Sequence, residues 1–435
     1  MRIAHLMPGS GGSFYCENCM RDAGLLRALR RMGHDAMSVP LYLPLQRDEP
    51  GPEETNPVFF GGINVYLQQK SALFRKTPRW VDQLFDSPTL LRWAAGKAGM
   101  TDARTLAETT LSMLRGEHGH QVKELDRLVA WLADELPPDV VCLSNVILIG
   151  LAHRIRDALG APVVCLLQDE DIFLDALPEP WRGEAWGMIR ERAEHVAAFV
   201  AVSRYYADAM RERLGLSDDR VQVVYSGIAA EGYGPPETPP DPPAIGFLER
   251  MCSAKGLDIL IEAFILLKQR PEFRSLRLIA AGGWTAEDEA YLKQTRERLL
   301  DAGLADDVDG LPNLDRAARQ EFLRRVSVLS VPARHPEAFG MYVLEAWASG
   351  VPVVLPRRGA FPELIEAVGG GLLCEPEDPA SLAEALAELL ADPGRARELG
   401  QQGREAVAGR FTEERMAREV AAVYETAVSQ GESPP

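Results

Sequence analysis

The chain has 435 residues, 46% hydrophobic and 26% charged, with a formal net charge of −17. That is length for about two or three globular domains, and so acidic a surface speaks against a nucleic-acid partner and does not favour peripheral membrane contact. Six cysteines in a chain this long make no disulfide framework, so a cytoplasmic location is expected.

The apolar run at the N-terminus is too short for a signal peptide, and the uncharged run from Val140 to Ala152 is too short to span a bilayer. Arg2 to Met7 reads as a strand, followed by Pro8-Gly-Ser-Gly-Gly-Ser, a helix from about Cys19 to Met32 and a strand from Asp35 to Tyr42. A glycine loop between strand and helix lets backbone N–H groups approach a phosphate. It is not G-x-G-x-x-G, and no acid ends the second strand, so a nicotinamide cofactor is not indicated. Cys16-Glu-Asn-Cys19 follows the loop. Zinc would need a second pair, which is lacking, so two small residues at a helix start beside the ligand cleft are expected, without metal.

Phe59 to Leu67 reads as a strand with a glycine break, and residues 73–131 as a helical insertion. Its Trp80, Leu84, Phe85, Leu90, Leu91 and Trp93 are spaced as buried faces, with Arg75, Lys76, Arg79 and Arg92 among them. Strands follow at Pro138–Leu143, Pro162–Leu167, Ala198–Val202 and from Val221, with a helix from Ile149 to Leu159. Glu231 to Ala244, with six prolines and no hydrophobic periodicity, reads as a linker.

A second α/β unit begins at Ala244, with strands at Leu276–Ala281, Val308–Leu311, Val326–Val331 and Val351–Leu355, a helix from Lys255 and a terminal helix from Phe411 to Ala427. The tail from Ser429 reads as disordered. Asp307-Val-Asp309 opens a strand rather than following one, which makes a poor metal site. Between the last two strands of the parallel pattern lie a polar loop with Arg334, His335 and Glu337, then Phe339-Gly340 and a short apolar helix from Met341 to Ala348. A strand, a loop and a helix start together form an anion site, because first-turn N–H groups lack partners. Glu337 and Glu345 flank it, and acids suit hydroxyls better than further phosphate. Phosphate beside polyol suggests a nucleotide sugar.

Glu337, seven residues, then Glu345, set in Pro-Glu-Ala-Phe-Gly-Met-Tyr-Val-Leu-Glu-Ala-Trp-Ala-Ser-Gly-Val-Pro-Val, resembles the E-x7-E signature of retaining glycosyltransferases of family 4. Arg250 and Lys255-Gly256 match the family's donor-diphosphate pair. The resemblance covers about Ile245 to Ala408 well, and the first domain only in its glycine loop and strand pattern. It implies the GT-B fold: α/β, with two Rossmann-like parallel-sheet domains facing across a cleft. Residues 1–235 would form an acceptor domain and residues 244–410 a nucleotide-sugar domain, the terminal helix crossing back to the first.

By the same resemblance Arg250 and Lys255 hold the leaving diphosphate, Glu337 contacts the donor sugar and Glu345 the ribose. Phe339, Gly340 and Met341 lie near sugar and phosphate, and Gly11 and Gly12 face the phosphates. The implied reaction is metal-independent transfer with retention, with a nucleotide sugar as donor substrate and no cofactor. Relatives often carry a histidine where this chain has Gln168, which can hydrogen-bond but not transfer a proton. Gln168, Asp169 and His335 are candidates for the acceptor or sugar side. Alternatives are a nucleotide-sugar epimerase or hydrolase on the same fold, and a non-catalytic nucleotide-sugar binder.

Overall fold

The computed structural model describes residues 1–8, 16–42, 58–60, 69, 103–135 and 137–431. Two compact units emerge. The first holds residues 1–11, 18–225 and 416–435, and the second residues 12–17 and 226–415. Gly11 and Gly12, the aromatic and basic run from Arg75 to Trp93, and most of the Phe59–Leu67 segment lie outside the described residues.

In the first unit the strands are β1 (Arg2–Pro8), β2 (Asp35–Leu41), β3 (Val140–Leu143), β4 (Val163–Leu167), β5 (Ala198–Ala201) and β6 (Val221–Val223). They form one six-stranded sheet in the order β2-β1-β3-β4-β5-β6, parallel throughout. β3 and β4 are buried along their whole length, which is why they read as unbroken apolar runs rather than alternations. Helix α1 (Glu17–Arg31) packs Leu25, Leu26, Ala28 and Leu29 against this sheet. The described part of the insertion contains α2 (Ala103–Leu114) and α3 (Val122–Glu135). The segment expected as one helix from Ile149 is a 3₁₀ turn, Val146–Leu151, capped by Asn145 Oδ1, running into a helix at Ala152.

The second unit has β7 (Ala244–Leu248), β8 (Arg277–Ala281), β9 (Val308–Leu311), β10 (Val328–Ser330), β11 (Val353–Pro356) and β12 (Gly371–Cys374). Their order is β12-β11-β10-β7-β8-β9, again parallel. Counted from its own first strand this is 3-2-1-4-5-6, the doubly wound Rossmann order. The order reverses between β7 and β10, and ligands of such sheets bind where the loops leaving those two strands diverge.

The proline-rich stretch after β6 is part of the second unit rather than a free tether. The backbone carbonyls that lead into its prolines are taken up by neighbouring side chains. Arg316 donates to Ala229 and Glu231, Gln320 to Glu231 and Arg324 to Gly232, each near 3 Å. The final helix, Glu413–Gly431, runs past the expected Ala427 and includes Ser429. From Met416 onward it belongs to the first unit, where Met416, Val420 and Tyr424 join the core beneath β1 and β3. Among the described residues no helix is long and apolar enough to cross a membrane.

Candidate functional site

The loops at the β7/β10 divide carry the residues singled out above. Glu249 and Arg250 follow β7 directly, and Lys255 ends a 3₁₀ turn, Ser253–Lys255. Gly256 closes that turn with φ +73°, and a Cβ there would stand 2.1 Å from the Pro332 carbonyl oxygen on the opposite loop. Only glycine meets both conditions. Helix α4 (Leu257–Lys268) then starts.

From the other side, Arg334 reaches across the divide. Its guanidinium binds both oxygens of Asp258, at 2.8 and 2.6 Å, and donates to the Ser253 carbonyl at 2.6 Å. Burial opposes ionisation of Asp258, but the bonds from Arg334 and Tyr291 outweigh it and hold the carboxyl below its usual range. The fork locks the Lys255 turn to the loop that bears Glu337.

Lys255 Nζ lies 2.8 Å from Glu337 Oε1 and 3.4 Å from Glu249 Oε2. Both acids are buried, and Glu337 Oε2 makes no hydrogen bond. Burial raises the Glu249 carboxyl above its usual range, against the pull of Lys255. Arg250 turns the other way: Nε and Nη2 bond Asp288 Oδ2 at 3.1 and 2.9 Å, and Nη2 bonds Thr285 Oγ1 at 2.9 Å. Thr285 and Asp288 form a capping box on the turn after β8. The guanidinium is thus oriented by a rigid helix start.

Gly340, at φ +90°, caps α5 (Met341–Ala348), whose bounds match the expectation and whose residues are all buried. Phe339 stacks edge-on with Phe411 at 6.3 Å. Glu345 lies inside α5 and bonds Arg319 Nε at 2.9 Å, with Tyr233 OH on the same oxygen. His335 is exposed. The pair Asp307 and Asp309 forms ion pairs with Lys268, Arg277 and Arg325. Glu249, Asp288, Thr285, Arg319 and Tyr233 escaped the sequence reading. Only Glu249 carries a local signal, an acid closing a wholly apolar strand.

In the first unit, Gln168 follows β4 and is buried. Its Nε2 donates to the Ser144 carbonyl at 2.5 Å and Oγ at 3.1 Å, and its Oε1 faces Arg21 Nη1 at 3.5 Å. These bonds fix the orientation of the amide. Ser144 also bonds Asp22, which lies 3.5 Å from the buried His5 ring. Asp169 has φ +63°, a conformation an ordinary side chain adopts at a cost. The next residue, Glu170, accepts from the Gln168 and Val146 N–H groups, yet burial pushes its carboxyl up to about 7. Cys16 and Cys19, expected as two small residues, are bonded to each other as a disulfide. Two cysteines three apart at a helix start share one face. The other four cysteines are free and buried.

Comparison with known proteins agrees with this geometry. The profile for glycosyl transferases group 1 matches residues 234–406, and that for glycosyltransferase family 4 matches residues 109–231. A D-inositol 3-phosphate glycosyltransferase of Acidothermus cellulolyticus is 31% identical over 405 residues, 85% of this chain and 86% of its own. A lipopolysaccharide core biosynthesis mannosyltransferase of Rhizobium meliloti is 33% identical over 42% of this chain and 51% of its own. Among solved structures, sucrose-phosphate synthase of Thermosynechococcus elongatus superposes with a TM-score of 0.73 at 18% identity, covering 99% of this chain and 100% of its own. The Anabaena protein HepE in complex with UDP-glucose gives 0.67 at 17% identity, covering 98% of this chain and 100% of its own. The chain has the GT-B fold and belongs to glycosyltransferase family 4, as a nucleotide-sugar-dependent glycosyltransferase.

Proposed function

We propose that the chain moves a hexose from a nucleoside-diphosphate sugar to an acceptor hydroxyl with retention and without a divalent metal, holding the donor on its second unit. The observation that carries this is the Lys255–Glu337 pair where β7 and β10 diverge, with Arg250 on the same loop after β7, the ligand-binding place of a doubly wound sheet. As the bond from the sugar's anomeric carbon to phosphate breaks, charge grows on the departing phosphate. Arg250 and Lys255 stabilise that charge more in the transition state than in the ground state. The first-turn N–H groups of α5 after Gly340 add partial positive charge. Glu337, relieved of Lys255, takes the sugar hydroxyls, and Glu345 the ribose.

The new bond forms from the acceptor oxygen on the same face, and its proton passes to the departing phosphate oxygen. Fixed cations take the place a metal would otherwise have. Gly11 and Gly12 remain the phosphate-facing loop of this reading, with Asp169 and His335 as candidates for the acceptor side. Two curated relatives are named for D-inositol 3-phosphate, and a phosphorylated polyol is one acceptor to try first.

A thermal-shift panel of UDP-, GDP- and ADP-sugars tests the reading. One base should raise the melting temperature, because a ligand that binds only the folded state stabilises it. Lys255→Ala should remove the shift. No stabilisation by any nucleotide sugar, in protein that is folded, overturns it.

A further inference from the structure

We propose that Glu249 is a proton acceptor coupled to donor binding: it takes a proton from solvent when a nucleoside-diphosphate sugar draws Lys255 away. The inference rests on the reading that Lys255 grips that diphosphate.

One ammonium serves two buried carboxylates. Lys255 Nζ stands 2.8 Å from Glu337 Oε1 and 3.4 Å from Glu249 Oε2, and Glu249 and Glu337 are 2% and 1% exposed. Glu249 Oε1 accepts the Arg250 N–H at 2.7 Å, while Oε2 makes no hydrogen bond. Among the described residues no other cation stands in for Lys255. Arg250 is turned onto Asp288 and Thr285, and Arg334 onto Asp258. From the end of β8 the Glu249 backbone meets Ala281 and Gly282, neither of them charged. The Cys252 thiol is pushed up by burial and stays protonated. Lys255 and Glu337 are therefore the charges that act on Glu249, and they oppose each other.

When Lys255 turns to phosphate, two like charges are left together in a buried place, and one of them must be protonated. Glu337 regains partners in the sugar hydroxyls. Glu249, buried and without a further charged partner among the described residues, gains none, so the proton goes to Glu249. Binding that takes up a proton weakens as pH rises, by about tenfold per pH unit where a full proton is taken up.

Titration calorimetry of UDP-, GDP- and ADP-glucose in two buffers of different ionisation enthalpy reads the proton count directly. The measurement is made at about pH 8, where a nucleotide sugar, which lacks a terminal phosphate monoester, takes up no proton of its own. Wild-type protein should take up a measurable fraction of a proton and show a Kd that rises with pH. Glu249→Gln should take up none and show a flat profile. Glu249→Met, which replaces the acid with an apolar side chain of similar length, serves if the glutamine variant fails to fold. Nucleotide-sugar binding with no uptake in wild-type protein overturns the proposal, as does equal uptake in wild type and variant. Absence of binding by any of the three nucleotide sugars overturns the donor-site reading, and this inference with it.

Discussion

Arg319 Nε lies 2.9 Å from Glu345 Oε1, and the two side chains are only 4% and 2% exposed. The second glutamate of the signature is thus half of a buried ion pair. Glu345→Ala would take the carboxylate from the buried Arg319 guanidinium, leaving its bond to the Leu314 carbonyl, and should lower unfolding free energy by about 3–5 kcal/mol. Urea denaturation reads the loss, and wild-type stability would contradict it. A lost activity in that variant would not by itself identify a ribose contact. Arg319→Met with Glu345→Leu separates the two: stability should return to near wild type while nucleotide binding is lost.

Gly256 is the hinge between Lys255 and α4. Gly256→Ala meets a left-handed backbone and the Pro332 carbonyl together, so a stability loss of at least ~2 kcal/mol is expected. Donor affinity should fall as well, since the turn that presents Lys255 must shift. A variant with unchanged melting temperature and unchanged affinity would show that the turn is not constrained as described.

Glu170 predicts a pH dependence. Its carboxyl titrates from 4.5 ordinarily to about 7 in the fold. Between those values the folded protein holds the proton and the unfolded chain does not. Stability therefore declines as pH rises through that window and levels off above it, by an amount on the order of 3 kcal/mol for this group. Unfolding free energies across the window should fall less steeply for Glu170→Gln than for wild type. Parallel curves would refute the assignment.

Transfer activity in excess chelator should equal that in its absence, because cations of the chain supply the charge. Activity abolished by chelator and restored by magnesium or manganese would show that a metal takes part.

Much of the fold was legible because parallel strands buried on both faces announce themselves as short apolar runs. β9 and α5 fall where the residues predicted, and β8 within one residue. The site was legible where its members are close in sequence, as with Glu337 and Glu345 or Arg250 and Lys255. Its supports were not. Asp288 stands 38 residues from Arg250, and Tyr233 stands 112 from Glu345. No periodicity links such positions; only the sheet order brings them together. The proline-rich stretch misled for a related reason: it lacks hydrophobic rhythm, yet its carbonyls are claimed by Arg316, Gln320 and Arg324. Nothing local to Gln168 announces that Ser144 and Arg21 bond its amide, since both are distant in sequence.

The central claim is that the cations after β7 stabilise the departing diphosphate, and Arg250 tests it most directly. Its guanidinium is 29% exposed, and Asp288 keeps its bonds from the Thr285 N–H and hydroxyl when it is removed, so the fold should stay intact. Turnover at saturating nucleotide sugar should drop by roughly one to three orders of magnitude in Arg250→Ala, with the melting temperature close to wild type. Unchanged turnover in that folded variant would contradict the account.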